Sequence, residues 1–408
     1  MTLELVATHK NLKGNWQVTG SKSEANRLLI LQALFPQIEI ENLSNSDDTE
    51  VLQKALRSSE EEIDIHHAGT AMRFSTAYFS IQDGRKTILT GSKRMQERPI
   101  KLLVDALKSL GTDIEYQKEE GYPPLLIHGK KITKSNVSLA ANVSSQYISA
   151  LMLMAPSLEN GLEIKLEGKV TSTPYILMTL SLLKNLGVTA SFENNSINIE
   201  PFQLQQPKKF VVESDWSSAS YFYSLVALSD SAEITISNYK KESLQGDSSL
   251  VELYKSLGVK TTFLENSIQL KKDHSVKLPQ VYKADLVSSP DLAQTIAVTC
   301  LGLGISCELT GLHTLKIKET DRLVALHDEM SKFGARVDIT NDSLKLYPCV
   351  NLKENVSVAT YNDHRMAMAF APLALKTTLK IEDAGVVSKS FPDFWQAMKH
   401  FHIQQKEV

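Results

Sequence analysis

Four stretches of the chain repeat one order of apolar and polar positions: leucines at helical spacing, a Leu-Gly or Phe-Gly stop, then a short alternating strand. They are Leu102 to Ile114, Leu180 to Ala190, Leu250 to Thr261 and Leu323 to Val337. Each predicts a helix closed by a glycine just past its end, at Gly111, Gly187, Gly258 and Gly334, where a left-handed backbone satisfies the last carbonyls. After the last three glycines come a polar turn and another alternating strand: Asn194-Asn195 before Ser196 to Ile199, Glu265-Asn266 before Ser267 to Leu270, and Asn341-Asp342 before Ser343 to Leu346. The period is too long and the copies are too loose for a solenoid, so the pattern predicts repeated α-β-β units in an α/β fold. A break near Glu213 divides the chain into near-equal halves, residues 21–213 and residues 214–408, with residues 1–20 assigned to the second. Two similar lobes follow, with a cleft between them of the kind that favours ligands.

A second pattern lies at the helix starts. Gly20-Ser21-Lys22-Ser23-Glu24-Ala25-Asn26-Arg27 runs into the apolar stretch Leu28 to Leu34, so Ser21 or Ser23 is an N-cap and two cations fall in or near the opening turns. The positive end of the helix macrodipole disfavours cations there, unless an anion is held between them and the free N–H groups. Polar or basic residues open apolar stretches again at Gly69 to Arg73, Ser144-Ser145-Gln146, Ser172-Thr173-Pro174-Tyr175, Asp215 to Ser218, Pro290-Asp291, Lys318 to Arg322 and Asp363 to Arg365. Pro174 suits the first helical position. Arg98 and Lys389 stand in turn-like contexts beside prolines. With Lys22, Arg27, Arg73, Lys318, Arg322 and Arg365 they make eight cations, too many for one phosphate and enough for two anionic substrates.

Composition narrows the chemistry. The chain has 408 residues, 42% of them hydrophobic and 22% charged, which favours a two-domain globular protein. Its net charge of −3 argues against a nucleic-acid binder, so any anion site is local. Three cysteines, Cys300, Cys307 and Cys349, cannot all pair and form no metal-type motif, which fits a reducing, cytoplasmic setting. The sequence shows neither an export signal nor an apolar run long enough to span a membrane.

The segments GSKSEANR, AGTAMRF, RMQERPI, SSQYISALM, STPYI, SPDLAQT, KIKETDR, YNDHRMAMAF and SKSFPDF, taken in order from Gly20 to Phe394, resemble the 5-enolpyruvylshikimate-3-phosphate synthase family of enolpyruvyl transferases. The resemblance implies a two-lobed inverted α/β barrel, each lobe built from three βαβαββ-type repeats, with the active site in the interdomain cleft. It implies two small-molecule substrates, shikimate 3-phosphate and phosphoenolpyruvate, no cofactor or metal, no nucleic-acid or membrane partner, and a monomer.

By the same resemblance Ser23 and Arg27 hold the shikimate carboxylate, while Ser144, Ser145, Ser172 and Lys318 hold its 3-phosphate beside Tyr175. Gly69, Arg98, Gln146 and Lys389 surround the phosphate of phosphoenolpyruvate, and Arg322 and Arg365 clamp its carboxylate. Lys22 touches both substrates. Asp291 is the expected general base for the 5-hydroxyl, with Glu319 and Lys22 as the proton-transfer pair at the methylene carbon. Two positions depart from the family pattern: His67, expected to donate one hydrogen bond to phosphoenolpyruvate, and Thr314 stand where asparagine is usual. The related transferase acting on UDP-N-acetylglucosamine is a poorer match: its usual loop cysteine has no counterpart here near Arg94 to Arg98, and its opening motif has asparagine where Ser23 stands. A catalytically dead anion binder would have no need of Asp291, Glu319 and Lys22 together.

Overall fold

The computed structural model describes residues 1–408 other than 141–143, 169, 171, 172 and 319. The chain forms two compact units, one of Gly20–Val212 and one of Met1–Thr19 with Glu213–Val408.

The Gly20–Val212 unit carries helices α1 (Lys22–Leu34), α2 (Asp47–Arg57), α3 (Gly69–Ser80), α4 (Lys93–Gln96), α5 (Lys101–Leu110), α6 (Ser145–Met154) and α7 (Thr173–Leu186). Two four-stranded sheets share one topology. In the first, Glu62–Asp64 runs parallel to Lys86–Thr90, which pairs antiparallel with Leu125–His128, itself antiparallel to Asp113–Tyr116. In the second, Asn136–Ala140, Leu162–Glu167, Ser196–Ile199 and Ala190–Glu193 repeat that order. A parallel pair needs a crossover, supplied here by α3 and α6, and the closing hairpin follows the next helix, giving βαβαββ. The third sheet holds only Lys208–Val211 parallel to Ile38–Glu41, a repeat without its hairpin.

The other unit carries α8 (Trp216–Leu228), α9 (Leu250–Leu253), α10 (Ala293–Leu303), α11 (Arg322–Lys332), α12 (His364–Phe370) and α13 (Phe394–His400). Its three sheets follow the same plan. In one of them the third place is taken by Leu3–Ala7, which lies antiparallel between Leu379–Ile381 and Ile403–Glu407.

Burial explains the layering. Helices α3, α6, α8 and α10 are buried on nearly every side, as helices hydrophobic all round must be, whereas the strands alternate buried and exposed positions. Each unit therefore keeps these helices inside and its sheets outside. Several hydroxyls within the inner helices are satisfied by the preceding turn, as where Thr76 donates to the Met72 carbonyl and Thr299 to that of Thr295.

Gly111, Gly187, Gly258 and Gly334 all adopt positive φ at helix ends, and Asn194 and Asn195 do so in the two-residue turn of their hairpin. The stretch from Leu250 differs from expectation: α9 is only four residues long and its continuation tightens into a 3-10 turn at Lys255–Leu257 before Gly258. Pro174 is the second residue of α7 and not the first. Among the described residues no helix is long and apolar enough to cross a membrane, and Cys300, Cys307 and Cys349 are free thiols.

Candidate functional site

Within the Gly20–Val212 unit the N-terminal halves of α1, α3, α6 and α7 meet around Arg27. Its guanidinium donates from Nε to Thr179 Oγ1 on α7 at 2.7 Å, from Nη2 to Ser149 Oγ on α6 at 2.9 Å and from Nη1 to the Ser23 carbonyl at 2.8 Å. It also lies over the rings of Phe74 at 5.4 Å and Tyr175 at 5.7 Å. Arg27 is 2% exposed, and burial lowers its pKa to about 10. Among the described residues no carboxylate forms an ion pair with it, so a buried cation rests on neutral oxygens, which suits an incoming anion. Ser21 occupies the cap position of α1 without a side-chain cap bond, and Ser23 is the second helical residue.

Lys22, the first residue of α1, places Nζ 3.3 Å from Asp48 Oδ2 on α2. His67 Nε2 lies 3.6 Å from the other carboxylate oxygen of Asp48, and its Nδ1 is 2.7 Å from His66 Nδ1. Both ring nitrogens of His67 thus already face protein groups. Asp48, buried between a cation and an imidazole, was not among the residues the sequence singled out.

Arg98 folds back over the start of α3. A Cβ added at Gly69 would sit 2.5 Å, 2.7 Å and 2.9 Å from the Nη1, Nη2 and Cζ atoms of Arg98, so glycine makes the approach possible. Gln146 Nε2 donates to Thr70 Oγ1 at 3.0 Å and so ties the first turn of α6 to that of α3. Ser144 caps α6 by accepting the Gln146 N–H, and Ser145 beside it is buried. Arg73 corrects the count of cations facing a ligand. It is 4% exposed and donates to the carbonyls of Gly69 and Pro99, while Tyr147 donates to the same Pro99 carbonyl. Arg73 braces the Arg98 turn from beneath, its pKa lowered to about 10 by burial and then by Arg98.

The second unit gathers its chemistry around Asp291. Oδ1 accepts from Arg322 Nη1 at 2.8 Å and lies 3.6 Å from Lys318 Nζ, while Oδ2 accepts from Arg365 Nη2 at 3.2 Å. Burial pushes this carboxyl up, but Arg365, Lys318 and Arg322 outweigh it and hold Asp291 well below the usual carboxylate range. Arg322, 1% exposed, is fixed from its other side by a 2.6 Å bond from Nε to Asp363 Oδ2. Asp363 in turn caps α12 by accepting the Arg365 N–H. Lys389 Nζ donates to the Asn362 carbonyl at 2.7 Å. Tyr361 and Asn362 both adopt positive φ, and the loop is pinned where Tyr361 O–H and the Ala359 N–H donate to the buried carboxylate of Glu329. Thr314 leaves a buried hydroxyl with no partner among the described residues.

Ser172 and Glu319 lie outside the described residues. Of the others, Lys22, Ser23, Arg27, His67, Gly69, Arg98, Ser144, Ser145, Gln146 and Tyr175 cluster in one unit, and Asp291, Lys318, Arg322, Arg365 and Lys389 in the other. Sequence reasoning missed Asp48 and Asp363 as direct partners of these groups, and Glu329 as the anchor of the loop before α12. The acidic run Asp47-Asp48 and the cap position of Asp363 were the only local signals.

Comparison with known proteins gives the family. The family model of EPSP synthase (3-phosphoshikimate 1-carboxyvinyltransferase) matches residues 51–398. A 3-phosphoshikimate 1-carboxyvinyltransferase of Bacteroides fragilis is 46% identical over 400 residues, covering 97% of each chain. One of Haemophilus influenzae is 35% identical over 421 residues, covering 94% of this chain and 95% of its own. The fold matches an EPSP synthase structure from Acinetobacter baumannii with a TM-score of 0.81 at 19% identity, covering 100% of both chains. It also matches the enolpyruvyl transferase NikO from Streptomyces tendae, with a TM-score of 0.76 at 14% identity, covering 100% of this chain and 99% of that one. With inner helices opening onto clustered cations and relatives aligned along nearly its whole length, the chain belongs to the EPSP synthase family.

Proposed function

We propose how this chain carries out its family's reaction, in which the enolpyruvyl group of phosphoenolpyruvate passes to the 5-hydroxyl of shikimate 3-phosphate and inorganic phosphate leaves. Ser23 and Arg27 hold the shikimate carboxylate. Ser144, Ser145, Ser172 and Lys318 hold the 3-phosphate, with Tyr175 packed beside the ring. Gly69, Arg98, Gln146 and Lys389 enclose the phosphoenolpyruvate phosphate, Arg322 and Arg365 take its carboxylate, His67 stands nearby, and Lys22 reaches both substrates.

In the addition step the 5-oxygen bonds to C2 of phosphoenolpyruvate, its proton passes to Asp291, and C3 gains a proton from the Glu319 and Lys22 pair. The resulting phospho-ketal then breaks its C2–O bond to phosphate while C3 returns a proton, restoring the double bond. Preorganised cations stabilise the charge on the departing phosphate.

The observation that carries this reading is the Asp291 cluster. A carboxylate bound by Arg322, Arg365 and Lys318 is a weak base, because three cations stabilise its ionised form. A substrate carboxylate competing for the same arginines relieves that clamp and raises the basicity of Asp291 when the 5-hydroxyl is in place. The base is therefore masked until phosphoenolpyruvate binds. All the proposed groups come from a single chain, so a monomer suffices, and the free cysteines suit a cytoplasmic setting.

Phosphate release measured with both substrates, with each omitted and with UDP-N-acetylglucosamine in place of shikimate 3-phosphate tests the reading. Release only with shikimate 3-phosphate and phosphoenolpyruvate together is expected. Release with the nucleotide sugar, or binding of both substrates without release, overturns it.

A further inference from the structure

A second carboxylate reaches the Asp291 cluster by way of a hydroxyl. Asp247 lies in the 3-10 turn Gly246–Ser249, and its side chain accepts a short hydrogen bond from Ser217 Oγ in the first turn of α8. Ser217 Oγ in turn accepts from Arg365 Nη2 at 3.3 Å. That nitrogen also donates to Asp291 Oδ2 at 3.2 Å, and Nη1 of the same guanidinium lies 3.4 Å from the Asp291 carbonyl. Arg365 is therefore shared by two acidic residues, Asp291 directly and Asp247 through one oxygen.

The turn that carries Asp247 is fixed to α8. Gln245 accepts the Trp216 N–H at 3.0 Å and donates to the Ser214 carbonyl at 2.9 Å. Asp247 is 8% exposed, so its position is set by packing and not by solvent.

We infer that Asp247 is a positioning residue: it orients the Ser217 hydroxyl so that its lone pairs hold Arg365, giving that guanidinium an anchor independent of Asp291. This rests on the reading of Arg365 as a clamp for the substrate carboxylate. When that carboxylate arrives, Arg365 must loosen its grip on the base without losing its place, and Ser217 supplies the fixed point. An ionised Asp247 compels the Ser217 proton to point toward it and leaves the oxygen to accept from Arg365. A protonated Asp247 can donate to Ser217 Oγ instead, which occupies one of its two lone pairs and frees the hydroxyl proton to turn, so the grip on Arg365 weakens.

The charged groups facing Asp247 are Asp291, Arg365 and Asp215. Burial and then Asp291 push its carboxyl up to about 7, against the pull of Arg365 and the Ser217 hydrogen bond. The anchor is thus firm above about pH 7 and loosens below it.

Steady-state kinetics from about pH 5.5 to 8.5 on the wild type, Asp247→Asn, Ser217→Ala and the double variant provide the test. At pH 8 each variant should raise the KM for phosphoenolpyruvate on the order of tenfold while kcat changes far less. The double variant should be no worse than either single one. In the wild type that KM should rise as pH falls through 7, and in Asp247→Asn this step should vanish. A purely structural defect would not remove the pH step.

Folding has its own control. The folded state keeps the Asp247 proton to higher pH than the unfolded chain, so ionising this group subtracts stability as pH rises from about 4 to about 7. Asp247→Asn should accordingly melt no lower than the wild type at pH 8.

An unchanged KM and pH profile in Asp247→Asn, or additive losses in the double variant, overturns the inference. If the wild type releases no phosphate, the proposed function fails first. The positioning claim is then decided by carboxyl-carbon NMR, in which the Asp247 midpoint should rise in Ser217→Ala and in Arg365→Gln. An unmoved midpoint in both refutes the chain of contacts.

Discussion

At Gly69 a single hydrogen in place of a methyl group leaves room for the Arg98 guanidinium against the start of α3. Gly69→Ala should push that flexible side chain aside and raise the KM for phosphoenolpyruvate roughly tenfold, with the KM for shikimate 3-phosphate little changed. Stability should stay within about 1 kcal/mol, since alanine favours the helix and Arg98 can give way. Kinetics with each substrate varied, beside denaturant melts, check this; an unchanged phosphoenolpyruvate KM removes Arg98 from the phosphate site. Lys22, Arg27 and Arg322 were legible because a cation at a helix start is locally unfavourable and asks for a reason. Asp48 and Asp363 were not, because an acidic residue at a helix start is what the macrodipole favours anyway. Their importance comes from cations on other helices, such as Lys22 opposite Asp48 and Arg322 opposite Asp363. Asp247 carried no local signal at all.

Among the elements, the loop before α12 depends on one buried acid. Glu329 on α11 receives the Tyr361 hydroxyl at 2.7 Å, the Ala359 N–H at 3.0 Å and Lys332 Nζ at 2.7 Å. Glu329→Gln turns one acceptor oxygen into a donor and leaves one of these groups unmatched, with an expected loss of about 2 kcal/mol in chemical denaturation. Because the Asn362 carbonyl that holds Lys389 lies on this loop and Arg365 in the helix it leads into, the KM for phosphoenolpyruvate should rise as well. A stability loss with no change in KM would reduce Glu329 to general support. The glycine stops and the Asn194-Asn195 turn could be read from the chain because their backbone demands are local. The shortened α9 could not be, since Leu250, Tyr254 and Leu257 keep a helical rhythm whether or not the last turn tightens. Sheet order was equally hidden, as the partners of a strand lie one or more elements away.

For the whole molecule, the proposed ligands of one substrate pair belong to two units. Binding should draw those units together, so small-angle scattering should show a smaller radius of gyration once shikimate 3-phosphate is added. Identical dimensions with and without that ligand count against closure. The place of Leu3–Ala7 carries a consequence for synthesis. This strand pairs Leu3 with Ile381 and with Glu407, so a segment translated before the Gly20–Val212 unit completes a sheet whose other strands are translated after it. The Gly20–Val212 unit is contiguous and holds its own core, so it is free to fold while the rest is still being translated. Leu3–Ala7 meanwhile waits with both strand edges bare, the interval in which a nascent chain is most exposed to wrong pairing and most in need of a chaperone.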